Sequence, residues 1–348
     1  MTVLNSPIIL MCSERSGSNL IRVIFDAHPD IAAPGACHLF KVMSECASKY
    51  PIGSDTLRVS VWELFDAKVS SWLIDDIPTS KRAHMLAPLD RAADMVATIY
   101  AAEAWANRKT SVFIKENSIY QYTQFLHGVT AQARYLFMVR DPRDMALSWL
   151  KAPELRGGLM RSVQRWVDDQ SGFLRTLTHL PDSTLISFLR FEDLLKNPVM
   201  QLQRVCAELH VPFSDMLVDF NNNNASARRD AARSRMWKNL TKPIMSDNLN
   251  KFAEILTDDE LAFLEAKAGN LMRSFGYVPS RKARPQFGRF KSLSDLASVL
   301  AENEPHIKPE YMDLPKEERD RLENWSQLYA SMCQHPDLTP SQLHRSRP

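Results

Sequence analysis

Pro7-Ile8-Ile9-Leu10-Met11-Cys12 runs directly into Ser13-Glu14-Arg15-Ser16-Gly17-Ser18-Asn19-Leu20-Ile21-Arg22. The first six residues form an apolar run of the length of a buried strand. Those that follow are small, hydroxylated or charged. They open a helix through Gly17, which is free to take a positive φ. Small hydroxyl residues and a glycine let backbone N–H groups close on an anion. Arg15 adds a fixed charge, and the helix N-terminus adds the positive end of its dipole. The stretch predicts a strand–loop–helix unit with a phosphate-type cradle.

The rest of the chain repeats the alternation. Ser111–Lys115, Tyr135–Val139 and Leu185–Phe188 are short apolar runs, each followed by polar or charged residues. Asn19–Ala27 carries Leu20, Ile21, Ile24 and Phe25 on one helical face and stops at His28-Pro29-Asp30. Arg143–Leu150 follows a strand, and Asn197–Leu209 has Pro198 at its start, where a missing N–H is harmless. Alternating strands and helices predict a parallel sheet covered by helices. Residues 60–108 read as helical, broken at Pro78 and Pro88, and as a cap over the sheet. Asn221–Asn224 reads as a loop. Asp258–Phe275 reads as a helix capped by Thr257, with Glu260 at capping-box spacing and Gly276 at its end. Beyond Pro279 the composition turns basic over Arg281–Lys291, a solvated linker. Two more helices follow, around Ser294–Asn303 and Pro315–Met332. This tail reads as an appendage to the sheet.

Composition narrows the function classes. The 348 residues can bury roughly three quarters of their unfolded surface. Basic and acidic residues nearly balance, 43 against 41 for a net charge of +2, so nothing favours nucleic acid or an anionic membrane as partner. Cys12, Cys37, Cys46, Cys206 and Cys333 are scattered and lack metal-ligand spacing, so five free thiols and no metal site are expected. The N-terminus lacks signal-peptide features, and no run of ~20 apolar residues could span a membrane. Together these point to the cytoplasm.

The second informative segment is Tyr135-Leu136-Phe137-Met138-Val139-Arg140-Asp141-Pro142-Arg143-Asp144-Met145-Ala146-Leu147-Ser148-Trp149. Charges at the carboxyl end of a parallel strand sit where open α/β sheets bind ligands. Arg140 offers a forked guanidinium to a phosphate and Ser148 a hydroxyl. With the first loop, this segment resembles the sulfotransferases that use 3′-phosphoadenosine 5′-phosphosulfate (PAPS), in their soluble, bacterial-type small-molecule branch. Glu14-Arg15-Ser16-Gly17-Ser18-Asn19-Leu20 is similar to the family's P-[KR]-S-G-[ST]-[ST]-L, which holds the 5′-phosphosulfate. Val139, Arg140, Asp141, Asp144 and Ser148 fit V-R-[DN]-x-x-D-x-x-x-S, whose Arg and Ser hold the 3′-phosphate. Phe191-Glu192-Asp193-Leu194 is similar to Y-E-D-L, whose aromatic lies near the adenine. Trp237-Lys238-Asn239-Leu240-Thr241 is similar to W-K-N-x-[FL]-T. Leu271-Met272-Arg273-Ser274-Phe275-Gly276-Tyr277 resembles the M-x-x-[LF]-G-Y that closes the catalytic domain. The resemblance covers about residues 5–278. Where the family carries R-K-G for the 3′-phosphate, this chain has Arg228-Arg229-Asp230, so only Arg229 is carried over.

The resemblance implies a P-loop-like α/β fold: a three-layer parallel sheet flanked by helices, with a helical cap and a helical C-terminal tail. Residues 1–279 would be the catalytic domain, with 35–108 as the cap on the acceptor side, and 280–348 a basic linker and helical extension. The donor would be PAPS and the product 3′,5′-ADP, held by Arg15, Ser16, Gly17, Ser18, Asn19, Arg140, Ser148, Phe191, Trp237 and Arg229. Sulfuryl transfer depends on positioning and cations more than on covalent work. Arg15 and Lys115 match the family's loop cation and second lysine. The family's cytosolic members carry a His two residues after that lysine, where this chain has Asn117. The bacterial pattern P-[GP]-E-x-H-L is met by Pro34-Gly35-Ala36-Cys37-His38-Leu39, with Ala36 in place of the Glu. His38 is the candidate base, since an imidazole titrates at about 6.5; Glu116 is the reserve. The acceptor would be a small molecule, a secondary metabolite offering a hydroxyl or an amine or guanidinium nitrogen. The resemblance would build the acceptor pocket from the cap, the loop around 150–160 and the tail; Trp62, Trp72 and Trp105 could line it, but periodic aromatics are more often core.

Plainer readings stand beside these. Arg140 could form a surface ion pair, Lys115 could be a solvated charge, His38 a structural imidazole and Trp237 core. A P-loop kinase or NTPase is the main rival, although Gly-x-x-x-x-Gly-Lys-[Ser/Thr] is absent. A nucleotide-binding module without turnover is the second, with Ala36 and Asn117 as its arguments.

Overall fold

Five parallel strands form one sheet in the order β2-β3-β1-β4-β5. They are β1 (Ile8–Met11), β2 (Ile31–Ala32), β3 (Ser111–Lys115), β4 (Arg134–Val139) and β5 (Ile186–Arg190). The computed structural model describes residues 4, 6–245, 249–280, 292–302 and 304–333. The expected linker Arg281–Lys291 lies outside them. Helix α1 (Ser18–Asp26) joins β1 to β2. Helices α2 (Leu39–Cys46), α3 (Asp55–Asp66), α4 (Thr79–Leu86) and α5 (Ala92–Ala106) precede β3, and α6 (Thr123–Val129) precedes β4. Next come α7 (Pro142–Leu150) and α8 (Leu159–Leu177). After β5 follow α9 (Phe191–Lys196), α10 (Pro198–Glu208), α11 (Phe220–Asn223), α12 (Ala225–Arg233), α13 (Phe252–Ile255) and α14 (Asp258–Ser274). The tail contributes α15 (Leu293–Glu302) and α16 (Lys316–Cys333).

Successive strand residues point to opposite faces, so the sheet divides the core in two. Ile8, Leu10, Phe113, Leu136 and Met138 pack with Ile21 and Ile24 of α1 and Leu202 and Val205 of α10. Ile9, Met11, Ile114, Tyr135 and Phe137 pack on the other side with α2, α5, α8 and α14. This is the expected three-layer α/β architecture.

Local signals were obeyed where they were strongest. Thr257 Oγ1 accepts from Glu260 N at 3.3 Å, and the Glu260 carboxylate accepts from Thr257 N at 2.8 Å. Gly276, at φ +79°, ends α14. Pro78 stands at the N-cap of α4. Helix α8 escaped the sequence reading, although Leu159, Val163, Trp166 and Phe173 sit on one buried stripe at helical spacing.

Three expectations need correction, and one open choice is decided. Phe220–Asn223 forms one helical turn, and Asn224 caps α12 by accepting from Ala227 N at 2.9 Å while its Nδ2 donates to Val23 O at 2.6 Å. A buried Asn is tolerated because its amide is satisfied. The open choice falls to core for Trp62 and Trp72, packed edge-to-face on Phe65, while Trp105 is 80% exposed. The tail is no mere appendage: Trp325, Tyr329 and Met332 of α16 join the main core, packed with α2 and α3. Finally, Cys46 and Cys333 are joined as a disulfide, with Cα atoms 4.8 Å apart, while Cys12, Cys37 and Cys206 are free. Two helices far apart in sequence end side by side, which spacing along the chain could not reveal.

Candidate active site

Strand β1 is flanked by β3 on one side and β4 on the other. The chain leaves β1 toward β2 on one side, and the later crossover from β3 passes β1 to β4 on the other, so the carboxyl ends of these neighbouring strands open into one crevice. The loop 13–17, Lys115 at the end of β3 and Arg140 just beyond β4 therefore meet. Arg15 Nε donates to Ser148 Oγ at 3.1 Å, and Arg140 Nη1 donates to the Arg15 carbonyl at 2.8 Å. Gly17 takes φ +90° at the N-cap of α1, and a Cβ there would stand 2.3 Å from Phe191 Cε2. The Arg140 guanidinium lies over the same Phe191 ring, 4.8 Å from its centroid. Ser16 Oγ is buried without a hydrogen-bond partner.

The charges around these residues hold the scaffold. Asp141 caps α7, accepting from Arg143 N at 2.9 Å, and pairs with the Arg143 guanidinium at 2.7 Å. Asp144 accepts from Asn250 N at 2.7 Å and Phe252 N at 3.1 Å, which pins the approach to α13. Glu192 accepts from Asp141 N at 2.9 Å and from Tyr277 Oη at 2.7 Å. The segments around 140, 192 and 277, read separately in the sequence, thus brace one another. Burial, the leading cause, pushes the Asp144 and Glu192 carboxyls up and the Arg140 guanidinium down.

Arg15, Ser18, Asn19, Lys115, His38 and Trp237 line one cavity of about 370 Å³. His38 starts α2 in the left-handed region, at φ +59°. Its Nδ1 lies 3.3 Å from Glu116 Oε2, close enough for an ion pair though not aligned as a hydrogen bond. Glu116 is buried, and its other oxygen accepts from Tyr100 Oη at 3.0 Å. Ala36 leaves the carboxylate position of the bacterial pattern empty, and the buried Glu116, just after β3, brings a carboxylate to the imidazole instead. Lys115 Nζ donates to Asn117 Oδ1 at 3.0 Å, and burial lowers its pKa.

Phe191 stands behind the loop, under Gly17 and Arg140, and does not line the cavity; neither does Arg229 on α12. A further set does, partly from the loop around 150–160 and the tail that the sequence reading placed on the acceptor side. Arg161, Gln164, Arg165 and Asp168 come from α8, Glu154, Leu155 and Arg156 from the loop before it, and Leu322 and Trp325 from α16. The α8 residues escaped the sequence reading, although the stripe on that helix was available as a signal; within the loop and the tail no local feature singled out these particular residues. The Trp325 ring meets His38 edge-on, with centroids 5.5 Å apart. Among the described residues, no helix is long and apolar enough to cross a membrane.

Residues 7–215 match the family model described as the sulfotransferase family. Among solved structures, the sulfotransferase domain of the Synechococcus PCC 7002 olefin synthase is 19% identical, with a TM-score of 0.56 over 79% of this chain and 96% of that one. The sulfotransferase domain of the curacin biosynthetic pathway is 17% identical, with a TM-score of 0.56 over 80% of this chain and 100% of that one. At these identities the likeness shows the fold. No curated protein matches the chain.

Proposed function

The chain belongs to the sulfotransferase family, and from that premise we propose that it moves a sulfuryl group from PAPS to a small-molecule acceptor, releasing 3′,5′-ADP. One observation carries the reading: Arg15, Ser148 and Arg140 touch one another behind a cavity that Lys115 and His38 also line. The cradle's chemistry suits a nucleotide of this kind. Ser16 Oγ is a buried polar atom in need of a partner, and Gly17 leaves no room for a side chain against Phe191. Ser16, Gly17, Ser18 and Asn19 would hold the 5′-phosphosulfate at the N-terminus of α1. Arg140 and Ser148 would take the 3′-phosphate, with Phe191 and Trp237 toward the adenine and Arg229 in outer support.

PAPS supplies a sulfuryl group activated on phosphate. As the acceptor oxygen bonds to sulfur, His38 Nε2 takes its proton. Glu116 faces Nδ1, which favours the tautomer with the proton on Nδ1 and leaves Nε2 to accept. Glu116 therefore acts as the positioning carboxylate, held by Tyr100. Lys115 and Arg15 stabilise charge on the oxygen that links sulfur to phosphate. Losing one such contact costs on the order of 10²–10³ in rate. The cap residues Ala36, Lys68 and Val69, with the tail, form the acceptor side.

Calorimetry with 3′,5′-ADP, with and without Mg²⁺, tests the reading beside an Arg140→Ala variant. Micromolar binding without Mg²⁺, abolished in the variant, is the expected result. Binding of ATP with Mg²⁺ alone would instead favour the kinase reading.

A further inference from the structure

Several polar side chains lining the cavity have an atom without a hydrogen-bond partner; His38, Glu154 and Arg165 among them have an ion-pair contact, and two more, Arg156 and Trp325, have none and are not used by the transfer chemistry. Arg156 is 4% exposed, and none of its three guanidinium nitrogens has a hydrogen-bond partner. Among the described residues, no carboxylate lies within 4.0 Å of it. Its guanidinium stacks on Tyr311 from the tail, 4.8 Å from the ring centroid, and its backbone carbonyl accepts from Trp149 Nε1 at 3.0 Å. Trp325 is 6% exposed, and its indole N–H is likewise unpartnered.

Three other cations lining the cavity each have a carboxylate within 4.0 Å. Arg15 lies 3.7 Å from Glu154, whose carboxylate also feels Lys308. Arg165 lies 3.7 Å from Glu14 and 3.6 Å from Asp169. Lys68 pairs with Asp75 at 2.5 Å. An isolated buried guanidinium is costly, and burial lowers the pKa of Arg156 with Arg161 adding repulsion. Glu323, which holds the Tyr311 hydroxyl at 3.5 Å, is its distant counter-charge.

We propose that the acceptor is a hydroxy acid whose carboxylate is taken by Arg156, with its body against Trp325 and Leu322 and its hydroxyl toward His38. This rests on the sulfotransferase reading above. A planar fork matches a carboxylate in two parallel hydrogen bonds, whereas a doubly charged phosphate calls for more cation than one uncompensated arginine. The site is completed by the tail: Tyr311 backs Arg156, and Trp325 adds an N–H donor beside the candidate base. Arg156 and Trp325 thus set which acceptor is chosen.

The test uses para-hydroxyphenylacetate, para-hydroxyphenylpropanoate and ω-hydroxydecanoate, each beside its methyl ester, with radiolabelled PAPS. Wild-type protein should sulfate the acids with kcat/KM about 10- to 100-fold above the esters, the worth of a charged hydrogen bond. Arg156→Leu should remove that preference mainly through KM, and Arg156→Lys should restore part of it. The melting temperature of ligand-free Arg156→Leu should be unchanged or raised, because an uncompensated buried charge has been removed. A lowered melting temperature with the acid preference intact would show that Arg156 only holds the tail, and would overturn the proposal. So would equal use of esters, or no sulfation of either class while 3′,5′-ADP still binds. Loss of 3′,5′-ADP binding in the wild type would instead sink the donor reading on which the proposal rests.

Discussion

Replacing Gly17 by Ala should damage folding and nucleotide binding together. At φ +90° a side chain is strained, which costs about 1–2 kcal/mol. The new Cβ would stand 2.3 Å from Phe191 Cε2 and 2.4 Å from Cδ2. Ordinary contact requires about 3.5 Å, so the ring must retreat by about an ångström. Phe191 is 6% exposed and has nowhere free to go. Overpacking of this kind costs about 1–3 kcal/mol. The two effects together amount to about 2–5 kcal/mol, a large share of a domain's stability. The displaced ring also lies 4.8 Å beneath the Arg140 guanidinium, so the arginine proposed to hold the 3′-phosphate moves with it. Urea unfolding should show a lower midpoint, and calorimetry a weaker affinity for 3′,5′-ADP. Adding Phe191→Val should relieve the contact but not the dihedral strain, making the double variant less unstable than the two single effects combined. A Gly17→Ala protein with an unchanged midpoint and unchanged nucleotide affinity would refute the reasoning.

Three further outcomes follow from the same geometry. His38→Ala should lower kcat by about 10²–10⁴ with 3′,5′-ADP affinity intact, and Glu116→Gln should lower it less; the reverse ranking in kinetic assays would make Glu116 the base. Non-reducing peptide mapping should recover a Cys46–Cys333 peptide, and Cys333→Ser should lower the melting temperature by freeing α16 from α2; recovery of both cysteines as free thiols would contradict this. Burial holds Lys308 at about 8, below an ordinary lysine, while its ammonium donates to Trp149 O at 2.5 Å and Ala152 O at 2.7 Å. The unfolded chain then binds more protons between pH 8 and 10.5, so this group makes stability rise with pH across that window and fall as pH drops through 8. Denaturant unfolding at several pH values should show that slope reduced in Lys308→Met.

Much of the fold was legible in the chain because its signals are local. Apolar runs of strand length, a glycine before a helix, Pro198 at a helix start and the Thr257–Glu260 box each act within a few residues. The strand–loop–helix at 7–22 and the Arg140–Ser148 segment by themselves determined the parallel α/β sheet and the family. What spans the chain was decided only by the tertiary structure. The partner of His38 is Glu116, which sits beside it because β3 adjoins β2, the strand that leads to His38. Arg156 gains its backing from Tyr311, and Trp325 meets His38 because α16 lies along α2, the two helices ending at Cys333 and Cys46, which are joined. None of these pairs has a signature in sequence spacing. Their meeting follows from which apolar faces find room on the sheet, a property of the whole packed chain.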